Sequence, residues 1–246
     1  MGKKIAAIIC AAGASSRFGG QKKKPFVTVG GKAAFLRSVE VFTDHEDVKQ
    51  VILAISPEDQ EMVRVNWGAN LTFFGVQICF GGQERFDTVN NALKLVRDDI
   101  ELIAVHDAAR CCITKAWIDG VFQLAAKTGA AMLGSPVVAT LKKVKDGQII
   151  GTVDRSGLFE AQTPQVFAAD LLKQAYANLG KLDKKTISDD SGLVEALGKK
   201  VSIFETDVSN IKITKISDVI IAEAIIKSRP KPKIEGYKSP FEEAQW

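Results

Sequence analysis

Positive side chains follow the first apolar run of this chain, at the end of a loop of small residues. The apolar run IAAIIC, residues 5–10, continues into AAGASSRFGGQKKKPF, residues 11–26, with Arg17 and lysines at 22–24. The backbone N–H groups from Gly13 to Ser16 are open to an anion because small side chains leave room for its approach. A guanidinium offers a planar fork to phosphate oxygens, and an ammonium offers a point charge. The loop therefore predicts a phosphate site, with an ordinary solvated loop as the alternative.

The two best-known phosphate motifs do not fit this loop. A Walker A loop needs G-x-x-x-x-G-K-[ST], and no such spacing follows Gly13. A dinucleotide fingerprint needs G-x-G-x-x-G, but Ser15 stands where the second glycine belongs. These mismatches disfavour a P-loop enzyme and a nicotinamide-dependent oxidoreductase.

The residues that could bind an anion must be positioned by strands and helices. Runs rich in Val and Ile over 5–10, 51–55, 76–80 and 101–107 predict strands. Between them, helical patterns cover 32–42, the segment from Pro57, the segment after the glycines at 81–82, and 115–127. Continuous apolar strands separated by helices indicate an α/β fold, a mostly parallel Rossmann-like sheet with helices on both faces. Right-handed crossovers then bring the loops after the strands to one edge, where ligands usually bind.

The pattern changes from about residue 135. The stretch SPVVATLKKVKDGQIIGTVDR alternates polar and apolar residues around Asp146–Gly147, which predicts a hairpin. Its lysines favour an arm that projects from the domain, over about 136–156. Helices are predicted over 168–179, 189–197 and 217–227, and a strand over 201–204. We expect a single domain over residues 1–228 and a flexible tail over 229–246, since the tail lacks periodicity.

Composition excludes several classes of partner. The chain has 246 residues, a net charge of +4 and 46% hydrophobic residues. That charge is too small for a nucleic-acid-binding face. No apolar stretch approaches the roughly 20 residues that cross a bilayer. The four cysteines form no CxxC pair, which disfavours zinc and a disulfide framework. We expect a cytoplasmic protein with a small anionic ligand, and neither nucleic acid nor membrane as partner.

Seven segments together resemble a known family. In chain order they are AAGASSR (11–17), GGQERFDTV (81–89), VHDAAR (105–110), TVDR (152–155), AQTPQVF (161–167), SDDSGLVE (188–195) and NIKIT (210–214). They are similar to the motifs of the 2-C-methyl-D-erythritol 4-phosphate cytidylyltransferase family, one of the sugar-nucleotide-type nucleotidyltransferases, over about residues 3–226. The resemblance implies transfer of CMP from CTP to 2-C-methyl-D-erythritol 4-phosphate, with release of pyrophosphate, in non-mevalonate isoprenoid biosynthesis. Alternatives are ribitol-5-phosphate cytidylyltransferase, which the TVDR and NIKIT segments favour less, and a non-catalytic nucleotide-binding regulator on the same fold.

The resemblance also implies roles for individual residues. The implied catalytic residues are Arg17, Lys24, Arg155 and Lys212. The implied nucleotide-binding residues are Ala11, Ala12, Gly13, Ala14, Ser15 and Ser16 at the phosphates, with Gly81, Gly82, Gln83 and Thr88 at the cytosine. The implied residues for the polyol phosphate are Asp107, Arg110, Thr140, Arg155, Ser188 and Lys212. Asp107 is also the implied ligand of Mg²⁺, with other divalent cations as alternatives. The arm is implied to form a homodimer, so that Thr140 and Arg155 serve the neighbouring subunit's site.

The chain departs from the family pattern beside the first loop. Lys24-Pro25-Phe26 stands where the family usually has Pro-Lys-Gln, and Cys111–Cys112 replaces Pro-Cys or Pro-Phe. Aligning on Phe26 puts Lys24 at the family's lysine, with Lys23 as the alternative.

The implied reaction needs no protein nucleophile, because an oxygen of the acceptor phosphate attacks the α-phosphorus of CTP. Catalysis then consists of positioning and electrostatic stabilisation by cationic groups. Several of these residues also have plain structural interpretations. Asp107 could instead cap the turn after its strand, and Ser188 could cap the N-terminus of a helix. Lys212 could instead be an exposed lysine on a strand. We expect AQTPQVF to fix a backbone turn, and His106 to be structural because it points away from Asp107.

Overall fold

A seven-stranded sheet forms the centre of the protein. The computed structural model describes residues 2–13, 18, 23–183 and 187–230. Its strands are β1 (Ile5–Cys10), β2 (Thr28–Val29), β3 (Lys32–Ala33), β4 (Val48–Ile55), β5 (Gln77–Phe80), β6 (Leu102–Asp107), β7 (Ala130–Pro136), β8 (Leu141–Lys145), β9 (Gln148–Val153), β10 (Phe159–Ala168) and β11 (Ser202–Glu205). The order in the main sheet is β11-β7-β10-β6-β1-β4-β5. The strands pair in parallel except β10, which runs antiparallel between β6 and β7. The predicted α/β class with a mostly parallel sheet is confirmed.

Helices cover both faces of the sheet. They are α1 (Ala34–Thr43), α2 (Gln60–Phe73), α3 (Arg85–Leu93), α4 (Lys115–Thr128), α5 (Ala169–Ala177), α6 (Asp190–Glu195) and α7 (Ser217–Ser228). Along β1, side chains alternate between two hydrophobic clusters. Ile5, Ala7 and Ile9 face α1, α2 and α4, whereas Ala6 and Ile8 face α3, α5 and α6. Burial on both faces explains why β1 is a continuous apolar run instead of an alternating one.

A third, smaller cluster lies at the edge of the sheet that carries the candidate site. It includes Val27 after the first loop, Ala109 after β6, and Ile213 in the segment between β11 and α7. The backbone N–H of Ile213 also donates to the carbonyl of Ala109, at 2.9 Å. Residues beside three candidate site residues, Lys24, Asp107 and Lys212, are therefore packed into a single apolar cluster.

The predicted hairpin is present between β7 and β10. Strands β8 and β9 pair antiparallel, and all of their residues are exposed. Asp146 and Gly147 have φ values of 50° and 78°, the left-handed pair that a two-residue hairpin turn requires. The pair forms a sheet of its own, apart from the main one. The predicted arm therefore exists as a structural element, and its use in a dimer stays a prediction.

Two expectations about local structure are wrong. The helix expected from residue 32 begins at Ala34, because Lys32–Ala33 pairs with Thr28–Val29 as a short antiparallel ribbon. The AQTPQVF segment, expected to fix a backbone turn, lies within β10. That strand pairs with both of its neighbours, and its ladder to β7 is interrupted between Ala161 and Gln165.

Helix length and cysteine state complete the description. In the described part of the chain, no helix has both the length and the apolar character to cross a membrane. The four cysteines are free thiols, and Cys79, Cys111 and Cys112 are buried.

Candidate functional site

A cavity of about 340 Å³ opens at the carboxyl ends of β1, β4, β5 and β6. This is the edge where parallel α/β sheets usually bind ligands. Eight of the predicted site residues line it: Ala12, Gly13, Lys24, Gly82, Gln83, Thr88, Asp107 and Lys212. They come from four segments that are far apart in the sequence. The fold thus brings four of the predicted motifs to one place.

Asp107 and Lys212 form the charged floor of the cavity. Asp107 is the last residue of β6, and its carboxylate is nearly buried. Lys212 Nζ donates to Asp107 Oδ2 at 2.6 Å, and Arg85 Nε lies 3.4 Å from Oδ1. Burial raises the pKa of the Asp107 carboxyl, but the charges of Arg85 and Lys212 outweigh burial and hold that pKa well below its usual range. Asp107 is therefore an ionised carboxylate shared by two cations.

Sequence reasoning missed Arg85, although this residue stands in the GGQER motif. Arg85 is the first residue of α3, and its Nη2 lies 2.7 Å from Oδ2 of Asp190. Asp190 is completely buried, and the hydroxyl of Tyr176 donates to its Oδ1 at 2.5 Å. A buried carboxylate persists only when it is paired and hydrogen-bonded. The doubled aspartate in SDDSG is the signal in the sequence, since an N-cap needs only one: Asp189 caps α6, and Asp190 faces inward.

The two glycines after β5 make a tight turn at the cavity wall. A side chain at Gly81 would put its Cβ 2.3 Å from Cβ of Ala12, and one at Gly82 would come equally close to Asp87. Thr88 is buried, and its Oγ1 accepts from the N–H of Gly82 at 3.1 Å and donates to the carbonyl of Glu84 at 3.2 Å. Thr88 thus fixes the turn as well as lining the cavity. Its predicted contact with cytosine stays a prediction.

The structure separates the two candidate lysines of the first loop. Lys24 lines the cavity at the start of a short 3₁₀ turn, Lys24–Phe26. The turn is anchored by Phe26, whose ring is buried and stacked on Trp67 with centroids 5.7 Å apart. Lys23 instead pairs with Glu58 at 2.5 Å and with Asp59 at 2.9 Å. This geometry favours Lys24 as the lysine that faces a ligand.

Buried polar side chains of β10 hold the segments that carry the site. Oε1 of Gln162 accepts from Thr206 at 2.8 Å and from Asn210 at 2.9 Å, and its Nε2 donates to the carbonyl of Asp207 at 3.1 Å. Gln162 thereby supports the segment that leads to Lys212. None of the β10 residues lines the cavity.

The next residues of β10 support Asp107 and α6. Thr163 Oγ1 accepts from the backbone N–H of Asp107 at 3.0 Å. Gln165 donates to Asp189 at 2.8 Å and accepts from the N–H of Ser191 at 3.0 Å. Strand β10 is therefore a polar support behind the cavity.

His106 has the structural role that the sequence predicts. It is completely buried, packs edge-on against Phe42, and its Nδ1 lies 3.2 Å from Oγ1 of Thr163. Burial lowers the pKa of this imidazole to about 3. His106 is therefore neutral at physiological pH.

The other predicted residues within the described part of the chain lie outside the cavity lining. Ala11 is buried in the core, Gly81 is half-buried in the turn after β5, and Ser188 is exposed ahead of α6. The guanidinium of Arg110 donates to the carbonyls of Asn210 at 2.7 Å and Ala161 at 3.1 Å. Arg110 therefore connects β10 to the segment before Lys212, as Gln162 does.

Thr140 and Arg155 lie together in a separate cavity at the base of the arm. Within one chain, the structure does not bring them to the main cavity. Four further predicted residues, Ala14, Ser15, Ser16 and Arg17, lie outside the described residues.

The donor set of the cavity bears on the predicted metal. No group of three or more His, Cys, Asp and Glu side chains suited to a metal occurs among the described residues. Asp107 offers hard carboxylate oxygens, and Mg²⁺ commonly binds through one or two carboxylates plus phosphate oxygens of its ligand. The residues present therefore fit Mg²⁺ that arrives with a polyphosphate, and do not fit a metal held by protein groups alone.

The fold and the cavity together define an α/β protein with a charged cavity at the carboxyl edge of its sheet, where Lys24, Asp107 and Lys212 lie. Residues 5–228 match the model of the family described as IspD, 2-C-methyl-D-erythritol 4-phosphate cytidylyltransferase. The chain belongs to this family.

Individual relatives and solved structures agree with this assignment. A 2-C-methyl-D-erythritol 4-phosphate cytidylyltransferase of Endomicrobium trichonymphae is 45% identical over 226 residues, 92% of this chain and 100% of the relative. One of Pelotomaculum thermopropionicum is 36% identical over 228 residues, 92% of this chain and 95% of the relative. A crystal structure of 4-diphosphocytidyl-2C-methyl-D-erythritol synthase matches with a TM-score of 0.75 and 33% identity, over 92% of this chain and 100% of that one. Another, from Anaerococcus prevotii, matches with a TM-score of 0.79 and 26% identity, over 92% and 96%.

Proposed function

We propose that this protein transfers CMP from CTP to 2-C-methyl-D-erythritol 4-phosphate and releases pyrophosphate, in non-mevalonate isoprenoid biosynthesis. The product is 4-diphosphocytidyl-2-C-methyl-D-erythritol. The observation that carries the proposal is the cavity in which four motifs of the family converge, with Lys24, Asp107 and Lys212 in its lining. The named relatives favour this acceptor over ribitol 5-phosphate. The expected cytoplasmic location stays a prediction.

The chemistry asks the protein to hold two phosphorylated molecules in line. Lys24 stabilises the phosphates of CTP and the departing pyrophosphate. Lys212 orients the acceptor phosphate whose oxygen attacks the α-phosphorus. Gly82, which lines the cavity after β5, presents backbone groups to the cytosine. Each of the two preorganised lysine charges, Lys24 and Lys212, increases the rate of CMP transfer by about 10²–10³-fold. Arg17, in the loop outside the described residues, is proposed to share the task of Lys24.

Mg²⁺ is proposed as the cofactor, carried by the triphosphate and contacted by Asp107. When bound, it neutralises phosphate charge and favours departure of pyrophosphate. Activity should disappear when a chelator removes divalent ions and return when Mg²⁺ is added in excess. Full activity in the presence of the chelator would contradict this part of the proposal.

A direct assay tests the reaction. The protein is incubated with CTP, Mg²⁺ and either 2-C-methyl-D-erythritol 4-phosphate or ribitol 5-phosphate, and pyrophosphate release is measured. We expect release with the first acceptor and little with the second. Release with ribitol 5-phosphate alone would refute the proposed substrate, and no release with either would favour a nucleotide-binding regulator.

A homodimer through the arm is proposed to complete the site. The arm exposes the apolar residues Val144, Ile149 and Ile150, which a partner would cover. A two-fold dimer would deliver Thr140 and Arg155 of one subunit to the cavity of the other.

Subunit mixing tests this arrangement. Lys212→Ala and Arg155→Ala each disable both sites of their own homodimer. In a mixed dimer, one site carries both changes and the other carries neither. Random exchange in an equal mixture should therefore restore about a quarter of wild-type activity. No recovery after confirmed subunit exchange would show that Arg155 acts within its own chain.

A further inference from the structure

The guanidinium of Arg85 spans two carboxylates that belong to different parts of the fold. Its Nε lies 3.4 Å from Asp107 at the floor of the cavity, and its Nη2 lies 2.7 Å from Asp190 behind it. Asp107 ends β6, whereas Asp190 begins α6. Arg85 therefore connects the cavity floor to a charged group in the interior.

Asp190 holds Arg85 in this position. The Asp190 side chain is fully buried, and its other oxygen accepts from Tyr176 at 2.5 Å. A buried carboxylate without a counter-ion is strongly unfavourable, so Asp190 and Arg85 stabilise each other's placement. Tyr176 is itself buried in the cluster beneath α5. Its pairing with buried Asp190 therefore holds Arg85 in place independently of whether a ligand occupies the cavity.

Lys212 is placed differently. Its Nζ pairs with Asp107 at 2.6 Å, but 41% of its side chain is exposed, against 12% for Asp107. A half-exposed lysine on a flexible stem that lines a cavity can turn to an arriving phosphate. If Lys212 were the only protein counter-ion of Asp107, that turn would leave a buried carboxylate unpaired whenever Mg²⁺ is not bound.

We propose that Arg85 is a positioning residue that keeps Asp107 paired when Lys212 leaves it to bind a phosphate. The inference rests on the proposed function, in which Lys212 holds the acceptor phosphate. Arg85 also lines the cavity, but its Nε and Nη2 are paired with Asp107 and Asp190 and its Nη1 is buried, so we assign its effect on the ligand to its pairing with Asp107. The guanidinium thereby allows Lys212 to change partners at low cost.

The test removes the buried pair as a unit, with Arg85→Met and Asp190→Asn in one variant. Removing both members leaves no unpaired buried charge, and the net charge of the protein is unchanged. The new amide can still accept from Tyr176. The matched control is Arg97→Met with Asp99→Asn, which removes an exposed ion pair of 3.0 Å. Melting temperatures establish that the variants are folded.

Calorimetric titration with inorganic phosphate gives a readout that needs no turnover. We expect phosphate to bind about tenfold more weakly to the Arg85/Asp190 variant and equally to the control. In a Lys212→Met background, the Arg85/Asp190 change should have less than about a twofold effect, because the lysine through which it acts is gone. In the full assay, the KM for the acceptor should rise about tenfold while kcat changes by less than about threefold.

Unchanged phosphate affinity in the folded Arg85/Asp190 variant would overturn the inference. A further tenfold loss in the Lys212→Met background would also overturn it, since Arg85 would then bind the anion itself. If the double variant does not fold, Tyr176→Phe loosens Arg85 without removing a charge, and about threefold weaker binding is expected, with no change overturning the inference. Absence of CMP transfer by the wild-type protein would refute the proposed function, whereas the phosphate titration would still decide the role of Arg85.

Discussion

Replacing Gln162 by leucine should destabilise the segment that leads to Lys212, because it removes the hydrogen bonds that hold this segment to β10. Gln162 is buried in β10, and its amide makes hydrogen bonds to Thr206, Asp207 and Asn210. Leucine has a similar volume but neither donor nor acceptor. The change therefore removes polar contacts with little loss of packing.

The magnitude follows from the three hydrogen bonds that are lost. Each contributes about 1 kcal/mol to stability, and a buried partner left unsatisfied costs somewhat more. Thr206 retains a bond to the carbonyl of Gly134, and Asn210 retains one to Thr163, which keeps the cost near the lower end. We expect a loss of about 3 kcal/mol in the free energy of unfolding. For a domain of this size, that corresponds to roughly 6–12 °C in melting temperature.

Urea denaturation and thermal melting measure the loss directly. The matched control is Gln123→Leu, an exposed position on α4, which should change stability by less than about 0.5 kcal/mol. Because the lost bonds hold residues 206–210, amide hydrogen exchange should accelerate there before it accelerates in β1. A Gln162→Leu protein that melts within 2 °C of wild type, on the order of the control, would refute the assignment of β10 as a polar support.

Three further predictions concern single positions. Gly81→Ala should destabilise the protein by about 1–3 kcal/mol through overpacking, whereas Gly68→Ala, which meets nothing within 4 Å in the middle of α2, should be neutral or stabilising in the same urea titration. His106 is neutral in the folded state, with its pKa lowered from 6.5 to about 3, so the unfolded chain gains a proton first and stability should fall as pH decreases between these values. A His106→Asn variant should show a flatter stability–pH curve over that window, and an unchanged slope would contradict this origin. Lys24→Ala should lower kcat by about 10²–10³, but Lys23→Ala should lower it by less than about tenfold because Lys23 is paired with Glu58 and Asp59; equal losses would reopen the choice between them.

The sequence predicted those elements whose burial is uniform. Strands β1, β4 and β6 lie between two layers of helices, so their apolar runs are continuous and easily recognised. Asp107 was predicted at a ligand edge because it ends such a run. By contrast, β10 carries buried glutamine and threonine side chains, which serve as hydrogen-bonding supports and interrupt any apolar pattern. Its place between β6 and β7 depends on pairing with strands distant in sequence, which no local pattern encodes.

The pairing of Arg85 with Asp190 was unpredictable for a related reason. The two residues are 105 positions apart, and either one alone is compatible with an ordinary helix start. An arginine beside a glycine turn and a doubled aspartate are weak signals separately. Together they specify a buried ion pair only after the fold has placed α3 and α6 side by side. An ion pair between residues far apart in the sequence therefore cannot be predicted from the spacing of residues within a motif.

Three of the candidate site residues share one feature that explains why motifs far apart in the sequence meet at one cavity. Lys24, Asp107 and Lys212 each lie within three residues of a member of the small cluster formed by Val27, Ala109 and Ile213. The three charged residues line the cavity, whereas the three apolar residues close to them in sequence are buried together in one cluster. Packing of ordinary apolar residues therefore sets the spacing between the charges. A short motif that combines a charge with an apolar anchor encodes both the chemistry and its placement, whereas Arg155, beside an exposed arm without such an anchor, lies in a separate cavity.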